Sequence, residues 1–302
     1  RSTGYYQNFS DAHNLMSYRH TRAHNSLLVN GIGQPYSTEG YGSVMRAMGG
    51  QHISYCLGDA SHAYRSISND PMWVDYFKQA GIEQTPENGF GATPLTKYRR
   101  HVLMLHPHTV IVYDELEASE AVRWEWLLHS PTEFKIDAVK KTLSTDNKTK
   151  GWVAVTQLFG GHVFTLSQTD RFVVPPAITG AEYPNQWHLT ARVDGCSATR
   201  FLAIIQIGDE AVSIINRDGD TFNVGDWTIK AVLDASKAPE LTVSHRTEQA
   251  VFSYGTDNPA LNGNFYSRQY TGSSLLYDEI DGAYQVVEMT DRSPISTRVV
   301  NQ

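Results

Sequence analysis

The stretch that most constrains the fold runs from residue 122 to residue 130 and reads VRWEWLLHS. Large apolar side chains recur there at every second position, namely at Val122, Trp124, Trp126 and Leu128. Charged or polar side chains fall on the other side, namely Arg123, Glu125 and His129. A period of two is typical of a β-strand in a sheet whose two faces differ. We therefore expect a strand whose tryptophan face belongs to the core.

A β-hairpin is predicted immediately before this strand. The runs YRRHVLML and TVIVYDEL flank the turn His106-Pro107-His108. Proline fixes one backbone dihedral and cannot donate to a strand ladder, so it favours a turn at this point. The polar link EASEA, at residues 117–121, then separates the hairpin from the strand with the tryptophans. The two histidines of the turn are expected to be solvated.

Helical patterns are scarce in the rest of the chain. The best candidate is DPMWVDYFKQAG, in which Asp70 could cap the helix, Pro71 could open its first turn and Gly81 could close it. Elsewhere β-branched and aromatic residues form short runs between Gly, Pro, Asn and Asp. This pattern is typical of β-sandwiches and not of alternating α/β units.

The predicted fold is therefore all-β, with at most one or two short helices. We expect a large antiparallel β-sandwich over residues 1–207 and a smaller β-domain over residues 208–302, because the predicted strands become shorter after QIGDE. Residues 31–43 and 83–97, which are rich in Gly, Pro, Gln and Thr, are predicted to be loops.

Charge and composition argue against several classes of function. The 302 residues carry a net charge of −7 with no basic cluster, so nucleic acid is not an expected partner. No apolar run approaches the ~20 residues that cross a bilayer, and we expect no membrane partner. Nucleotide-binding, serine-hydrolase and zincin motifs are also not found in the sequence. Cys56 and Cys196 are not spaced as metal ligands, and they could pair or stay buried.

Two sets of side chains could carry chemistry. His20 and His24 lie four residues apart in a polar segment, and Tyr5, Tyr6 and His13 lie upstream of them. Tyrosine and histidine are side chains that proton-transfer enzymes acting on carbohydrates use.

The second set consists of the carboxylates Asp114, Glu115 and Glu117. Paired carboxylates could act as the acid and base of a glycoside hydrolase. Neighbouring acids on a strand point to opposite faces, however, so the alternative is a solvated turn.

Several longer motifs share an order and spacing with one known family: HTRAHNSLLVNGIGQ, YCLGDASHAY, the block at residues 98–130, and WHLTARVDGCSATRFLAIIQIGD. On these residues the chain resembles the C-terminal β-sandwich half of the heparinase II/III-like polysaccharide lyases. The resemblance implies cleavage of a uronic-acid glycan, of the heparin, heparan sulfate or alginate type, by β-elimination. A base removes the proton at carbon 5, and an acid protonates the leaving glycosidic oxygen.

The resemblance also implies particular roles for some residues of this chain. The main catalytic Tyr and His of such enzymes belong to an N-terminal helical toroid, so no catalytic residue is assigned here. A structural zinc ion has one ligand in the Ala-His-Asn-Ser motif, which falls on His24. Its other two ligands are expected upstream of residue 1. Tyr6 and His13 lie in the loop that approaches the substrate in relatives, so they are predicted substrate contacts.

The missing toroid leads to expectations about partners. We expect it to be supplied by the same protein or by a second chain, and we expect the present chain to be inactive alone. A homodimer is a further possibility, and a periplasmic or secreted bacterial location follows from the resemblance. The alternative function is a carbohydrate-binding β-module without chemistry of its own.

Overall fold

A computed structural model of the protein describes residues 8–147, 152–177, 186–208, 215–255, 258–261, 264–265, 267–291 and 293–299. Ten strands form a large antiparallel sheet: β1 (Leu27–Val29), β2 (Ser43–Gly49), β3 (Ile53–Asp59), β4 (Leu95–Leu105), β5 (Thr109–Ser130), β6 (Lys135–Asp137), β7 (Thr142–Asn147), β8 (Trp152–Gly160), β9 (Thr165–Thr169) and β10 (Trp187–Gly208). The predicted all-β fold is confirmed.

The remaining strands form a second sheet of eight strands and a small ribbon. In chain order they are β11 (Ile215–Asp218), β12 (Thr221–Val224), β13 (Trp227–Ala231), β14 (Leu241–His245), β15 (Val251–Tyr254), the ribbon β16 (Ala260–Leu261) and β17 (Asn264–Phe265), β18 (Ser274–Ile280), β19 (Ala283–Thr290) and β20 (Ser293–Val299). The second sheet runs in sequence order, with the ribbon outside it.

The two sheets pack face to face. The large sheet has the order β2-β3-β4-β5-β10-β8-β7-β6, with β1 paired to β5 and β9 paired to β10. One core joins buried side chains of this sheet, such as Leu57 and Ile111, to Ile229 and Phe252 of the second sheet. Such packing of inner faces defines a β-sandwich. The strand β10 ends at Gly208, and the division into domains at this residue stays a prediction.

The strand β5 bends sharply and forms a second core. The Trp126 indole Nε1 donates to Asp114 Oδ2 at 2.9 Å, although twelve residues of straight strand would span about 40 Å. The predicted polar link at residues 117–121 is therefore a bend within one continuous strand and not a break between two. The predicted core face is confirmed, because Val122, Trp124, Trp126 and Leu128 are all buried.

The hairpin and the helix also follow the sequence prediction. The strands β4 and β5 pair from Leu105 opposite Thr109, and both turn histidines, His106 and His108, are exposed. The one α-helix among the described residues, α1, spans Pro71–Gln79, and the Asp70 carboxylate accepts from the backbone N–H of Met72 at its N-terminus. A π-helical turn at Asn14–Tyr18 and two 3-10 turns, Thr21–Ala23 and Pro86–Asn88, complete the helical elements of the described residues.

The solvated turn predicted around Asp114 and Glu115 is wrong. Both carboxylates are fully buried, because their partners come from distant parts of the chain. Asp114 accepts two hydrogen bonds from Arg100, which lies directly opposite on β4, at 2.7 and 2.8 Å. Glu115 points to the other face, as predicted, and accepts from the Tyr254 hydroxyl of the second sheet at 2.9 Å.

Two further findings concern the cysteines and the possibility of a membrane-spanning helix. Cys56 and Cys196 are both free thiols and do not pair. Among the helices of the described residues, none is long and apolar enough to cross a membrane.

Candidate functional site

The segment before β1 forms one wall of a groove. Its π-helical turn carries the apolar side chains Leu15 and Met16 into a small core with Phe77 of α1 and Phe90. Tyr36 locks this segment in place, because its hydroxyl donates to the Leu15 carbonyl at 2.5 Å. Burial raises the pKa of Tyr36, so this phenol stays protonated and acts as a structural donor.

The groove consists of two adjoining pockets with volumes of about 460 and 320 Å³. Ser26 and Gln34 line both of them and mark where they meet. The charged, aromatic or titratable residues of the larger pocket are Arg19, His24, Tyr36, Asp70 and Trp73. The smaller pocket is lined by Asp59, Tyr98 and Arg100 among others. Polar surface slightly exceeds apolar surface in the larger pocket, whereas the smaller pocket is mostly apolar.

His24 lies in the wall of the larger pocket and is partly buried. Burial lowers the pKa of His24, and this outweighs a hydrogen bond from its ring to the Arg19 carbonyl, so the imidazole is neutral. When a carbonyl fixes the tautomer through one ring nitrogen, the other nitrogen carries a lone pair. Such an imidazole could bind a metal ion or accept a proton.

His20 is a structural residue. Its ring is fully buried, its Nε2 donates to the Gly89 carbonyl at 3.0 Å, and its Nδ1 accepts from Arg22 Nε at 3.0 Å. Both ring nitrogens are thus engaged in holding the 3-10 turn against residues 88–89. Burial and the Arg22 charge lower the pKa of His20 to about 3.

This shift predicts a loss of stability in acid. Between the ordinary pKa of 6.5 and about 3, the unfolded chain binds a proton at His20 that the folded chain does not. The free energy of unfolding should therefore fall as pH drops through this window, by up to about 1.4 kcal/mol per pH unit from this residue. Urea titrations at several pH values measure the slope.

The matched variants for this slope are His20→Gln and His108→Gln. The first removes the buried titrating ring and should flatten the slope, whereas the second alters an exposed turn residue and should leave it as in the wild type. Equal slopes in all three proteins would contradict the assignment.

His129 lies beneath the same segment. Although it is on the polar side of its strand by sequence, it is buried, and its Nε2 donates to the Arg22 carbonyl at 2.8 Å. Its ring packs edge-on against His188 with centroids 4.6 Å apart. Burial and the neighbouring His188 lower the pKa of His129 to about 3. This histidine therefore holds the segment before β1 against β5.

The two predicted substrate contacts differ in what the structure says of them. Tyr6 lies outside the described residues. His13 is fully buried, where its Nδ1 donates to the Val174 carbonyl and its ring packs edge-on against Phe172 at 4.6 Å. Contact of either side chain with substrate stays a prediction.

Arg19 lines the groove, although no sequence motif marks it as a site residue. Its guanidinium lies over the Trp73 ring at 4.3 Å and is also 5.4 Å from the Phe9 ring. Trp73 stands 54 residues away in the chain, so no local pattern joins the two. The only sequence signal is an arginine within the aromatic and histidine-rich run SYRH.

Arg100 closes the other end of the groove, but its charge is already paired. Its Nη1 donates to the Asn25 carbonyl at 2.6 Å, while Asp114 takes its Nε and Nη2. Burial alone would lower the pKa of Arg100, but the Asp114 carboxylate raises it overall. This side chain therefore holds the groove together and has little charge left for a ligand.

Fold and groove together define a two-sheet β-protein with a cleft between the segment before β1 and the strands β2, β3 and β4 of its large sheet. A family model described as heparinase II/III-like, C-terminal, matches residues 2–192. The chain belongs to this family. No curated protein matches the chain.

Several solved structures are similar to this chain in fold. A heparinase III crystal structure superposes with a TM-score of 0.51 over 89% of this chain, at 14% identity. A heparinase III gene product with methylated lysines gives a TM-score of 0.50 over 78% of this chain, also at 14% identity. The heparan sulfate lyase HepC from Pedobacter heparinus gives 0.48 over 76%, at 12% identity. The chain spans 33%, 30% and 30% of these proteins, respectively.

Proposed function

We propose that this chain is the β-sandwich portion of a polysaccharide lyase that cleaves a uronic-acid glycan, of the heparan sulfate, heparin or alginate type, by β-elimination. The observation that carries the proposal is the groove of this family member, whose larger pocket is lined by both Arg19 and the neutral imidazole of His24. An arginine can bind the uronate carboxylate, and charge neutralisation there makes the carbon-5 proton easier to remove. The remaining catalytic groups would come from residues outside this chain.

The experiment is an elimination assay on the protein in its full natural length. Heparan sulfate, heparin and alginate are offered separately, and the ultraviolet absorbance of the new double bond between carbons 4 and 5 is followed. A rise with one of these glycans supports the proposal. Binding of glycan with no rise for any of them would favour a carbohydrate-binding module instead.

The variant Glu117→Gln tests whether the protein is a lyase or a sandwich glycoside hydrolase. Glu117 is 51% exposed at the bend of β5, where its carboxylate pairs with Lys97 at 3.1 Å. A hydrolase that used this carboxylate would lose its activity in the variant. We expect the rate of glycan cleavage to stay within about twofold of the wild type, since surface ion pairs contribute little.

Zinc binding at His24 is part of the same proposal. The neutral, tautomer-fixed imidazole fits one ligand position, but the described residues contain no group of three or more His, Cys, Asp or Glu that could complete a site. Any further ligands would come from outside these residues. Zinc would supply structural cross-linking at this point.

Elemental analysis of the complete protein tests the zinc assignment. We expect metal in the wild type, a lower content in His24→Ala, and a lower melting temperature in parallel, because losing a structural ligand also destabilises the fold. His62→Ala, at an exposed histidine, is the control and should keep the metal. Unchanged zinc in His24→Ala would defeat the assignment.

The proposal also includes the partners of this chain and its location. A helical toroid, from the same protein or from a second chain, would complete the cleft, and a homodimer is one further arrangement. A periplasmic or secreted location fits an enzyme whose polymer substrate lies outside the cell. Intact-mass measurement of the natural protein under denaturing conditions distinguishes one long chain from two.

A further inference from the structure

The turn between β2 and β3 docks onto the second sheet through one buried carboxylate. Asp278 of β18 is fully buried. Its Oδ2 accepts from the backbone N–H groups of His52 and Ile53, both at 2.9 Å, and its Oδ1 accepts from the backbone N–H of Glu279 at 2.8 Å. Gly50 makes room for this contact, because a Cβ at residue 50 would overlap the Asp278 side chain. The carboxylate of Asp278 therefore acts as the acceptor that holds this turn.

The same carboxylate orients the ring of His52. Asp278 Oδ1 lies 2.7 Å from His52 Nδ1, and since the carboxylate is the acceptor, the ring donates its Nδ1 proton. In the neutral ring, Nε2 then carries the lone pair and points away from Asp278. Histidines that bind metal ions are commonly held in this way, because the carboxylate fixes the tautomer and makes the free nitrogen more basic.

The free nitrogen of His52 faces a second electron-pair donor. Its Nε2 is 3.7 Å from Glu248 Oε2, which is too long for a hydrogen bond. Two ligand atoms bound to one tetrahedral zinc ion are about 3.4 Å apart. A small movement of Glu248, whose side chain is 51% exposed, would therefore bring both atoms within range of one cation.

The charges around this pair of side chains also favour a cation. In the part of the chain that the structure describes, Glu248 and Asp278 form ion pairs with His52 alone, and Glu279 forms none. Burial and the negative charges of Glu279, Glu248 and Asp278 raise the pKa of Tyr284 nearby. Three carboxylates thus share a single imidazole as their counter-charge.

We propose that His52 and Glu248 form a binding site for a divalent transition-metal ion such as zinc, which links the β2–β3 turn of the large sheet to the β14–β15 turn of the second sheet. An imidazole nitrogen and a carboxylate oxygen are both ligands that zinc accepts. No third His, Cys, Asp or Glu joins them among the described residues, so water completes the coordination shell. The site uses neither His24 nor a groove residue, and it does not rest on the proposed function.

The test measures the zinc bound by the protein in its natural length. Each variant is dialysed against a series of zinc chloride concentrations, and elemental analysis gives the zinc per polypeptide, so that zinc held at other sites cancels in the comparison. We expect the wild type to bind about one zinc ion more than His52→Gln and than Glu248→Gln. His106→Gln, at an exposed histidine of the neighbouring turn, should match the wild type.

Hydrogen exchange tests whether the bound ion links the two sheets. The backbone N–H groups of His52 and Ile53 should exchange about tenfold more slowly when zinc exceeds its dissociation constant about tenfold. The effect should disappear in Glu248→Gln, which changes an exposed side chain and so decides the matter even if His52→Gln fails to fold. Equal zinc in the wild type and Glu248→Gln, or exchange that zinc does not slow, would overturn the proposal and leave a surface ion pair only.

Discussion

Trp126→Ala should be among the most destabilising single changes in this protein, with a loss of about 3–5 kcal/mol in the free energy of unfolding. The indole is 2% exposed and fills the core inside the bend of β5. Its Nε1 also donates to the buried Asp114 carboxylate, at 2.9 Å. The substitution thus leaves a cavity and removes one donor from a buried charge. Urea unfolding followed by circular dichroism measures the loss.

Two companion variants separate the contributions at this position. Trp126→Phe keeps most of the packing and loses the hydrogen bond, so it should cost about 1–3 kcal/mol. Arg123→Ala changes the opposite face of the same strand, where the side chain is 36% exposed, and should cost about 0.5 kcal/mol or less. If Trp126→Ala and Arg123→Ala cost the same, the strand does not have the two unequal faces described above.

Glu115→Ala should cost a similar amount, about 3–5 kcal/mol, because it breaks a buried charge network between the sheets. Glu115 accepts from His101 Nε2 and from the Tyr254 hydroxyl, both at 2.9 Å, and pairs with Lys97 Nζ at 2.8 Å. Burial opposes ionisation of this carboxyl, but His101 and Lys97 outweigh it and lower the pKa of Glu115 to about 2. Its removal would leave two buried donors, His101 Nε2 and the Tyr254 hydroxyl, without this acceptor.

The hydrogen bonds of this network all donate toward Glu115, starting from Ser274 of the second sheet. The Tyr55 hydroxyl donates to His101 Nδ1 at 3.0 Å and accepts from Ser274 Oγ of the second sheet at 2.9 Å. Burial lowers the pKa of His101, so the ring is neutral and passes hydrogen bonding from Tyr55 to Glu115. Losing the carboxylate should therefore loosen the second sheet against the first.

Glu117→Ala is the matched control for Glu115→Ala. Glu117 lies two residues further along β5 and shares Lys97 as a partner, but it is 51% exposed. Its loss should cost about 1 kcal/mol or less. Unfolding measurements that gave the same cost at both positions would contradict the buried network.

The parts of the fold that could be predicted from the sequence are those with local causes. The tryptophan face of β5 follows from side-chain alternation, the hairpin from Pro107, and α1 from Asp70 and Pro71 at its start. The bend in β5 could not be predicted in this way. The bend brings Trp126 onto Asp114, and no local pattern records a contact between residues twelve positions apart on one strand.

The site was predictable to a smaller extent for the same reason. The spacing of His20 and His24 marks both as candidates, but only their long-range contacts separate a buried structural histidine from one in the groove wall. Arg19 becomes a candidate binding residue through its contact with Trp73 on α1. The buried carboxylates Asp114 and Glu115 have their partners on β4 and on the second sheet. These are products of tertiary packing, which propensity and periodicity do not encode.

The measurement that tests the central claim most directly is the mass of the cleavage products. An oligosaccharide of defined length from the glycan that is cleaved, incubated with the protein in its natural length, should yield two products whose masses sum to that of the substrate, because β-elimination adds no water. Products whose summed mass exceeds the substrate by one water molecule would identify a hydrolase and contradict the account.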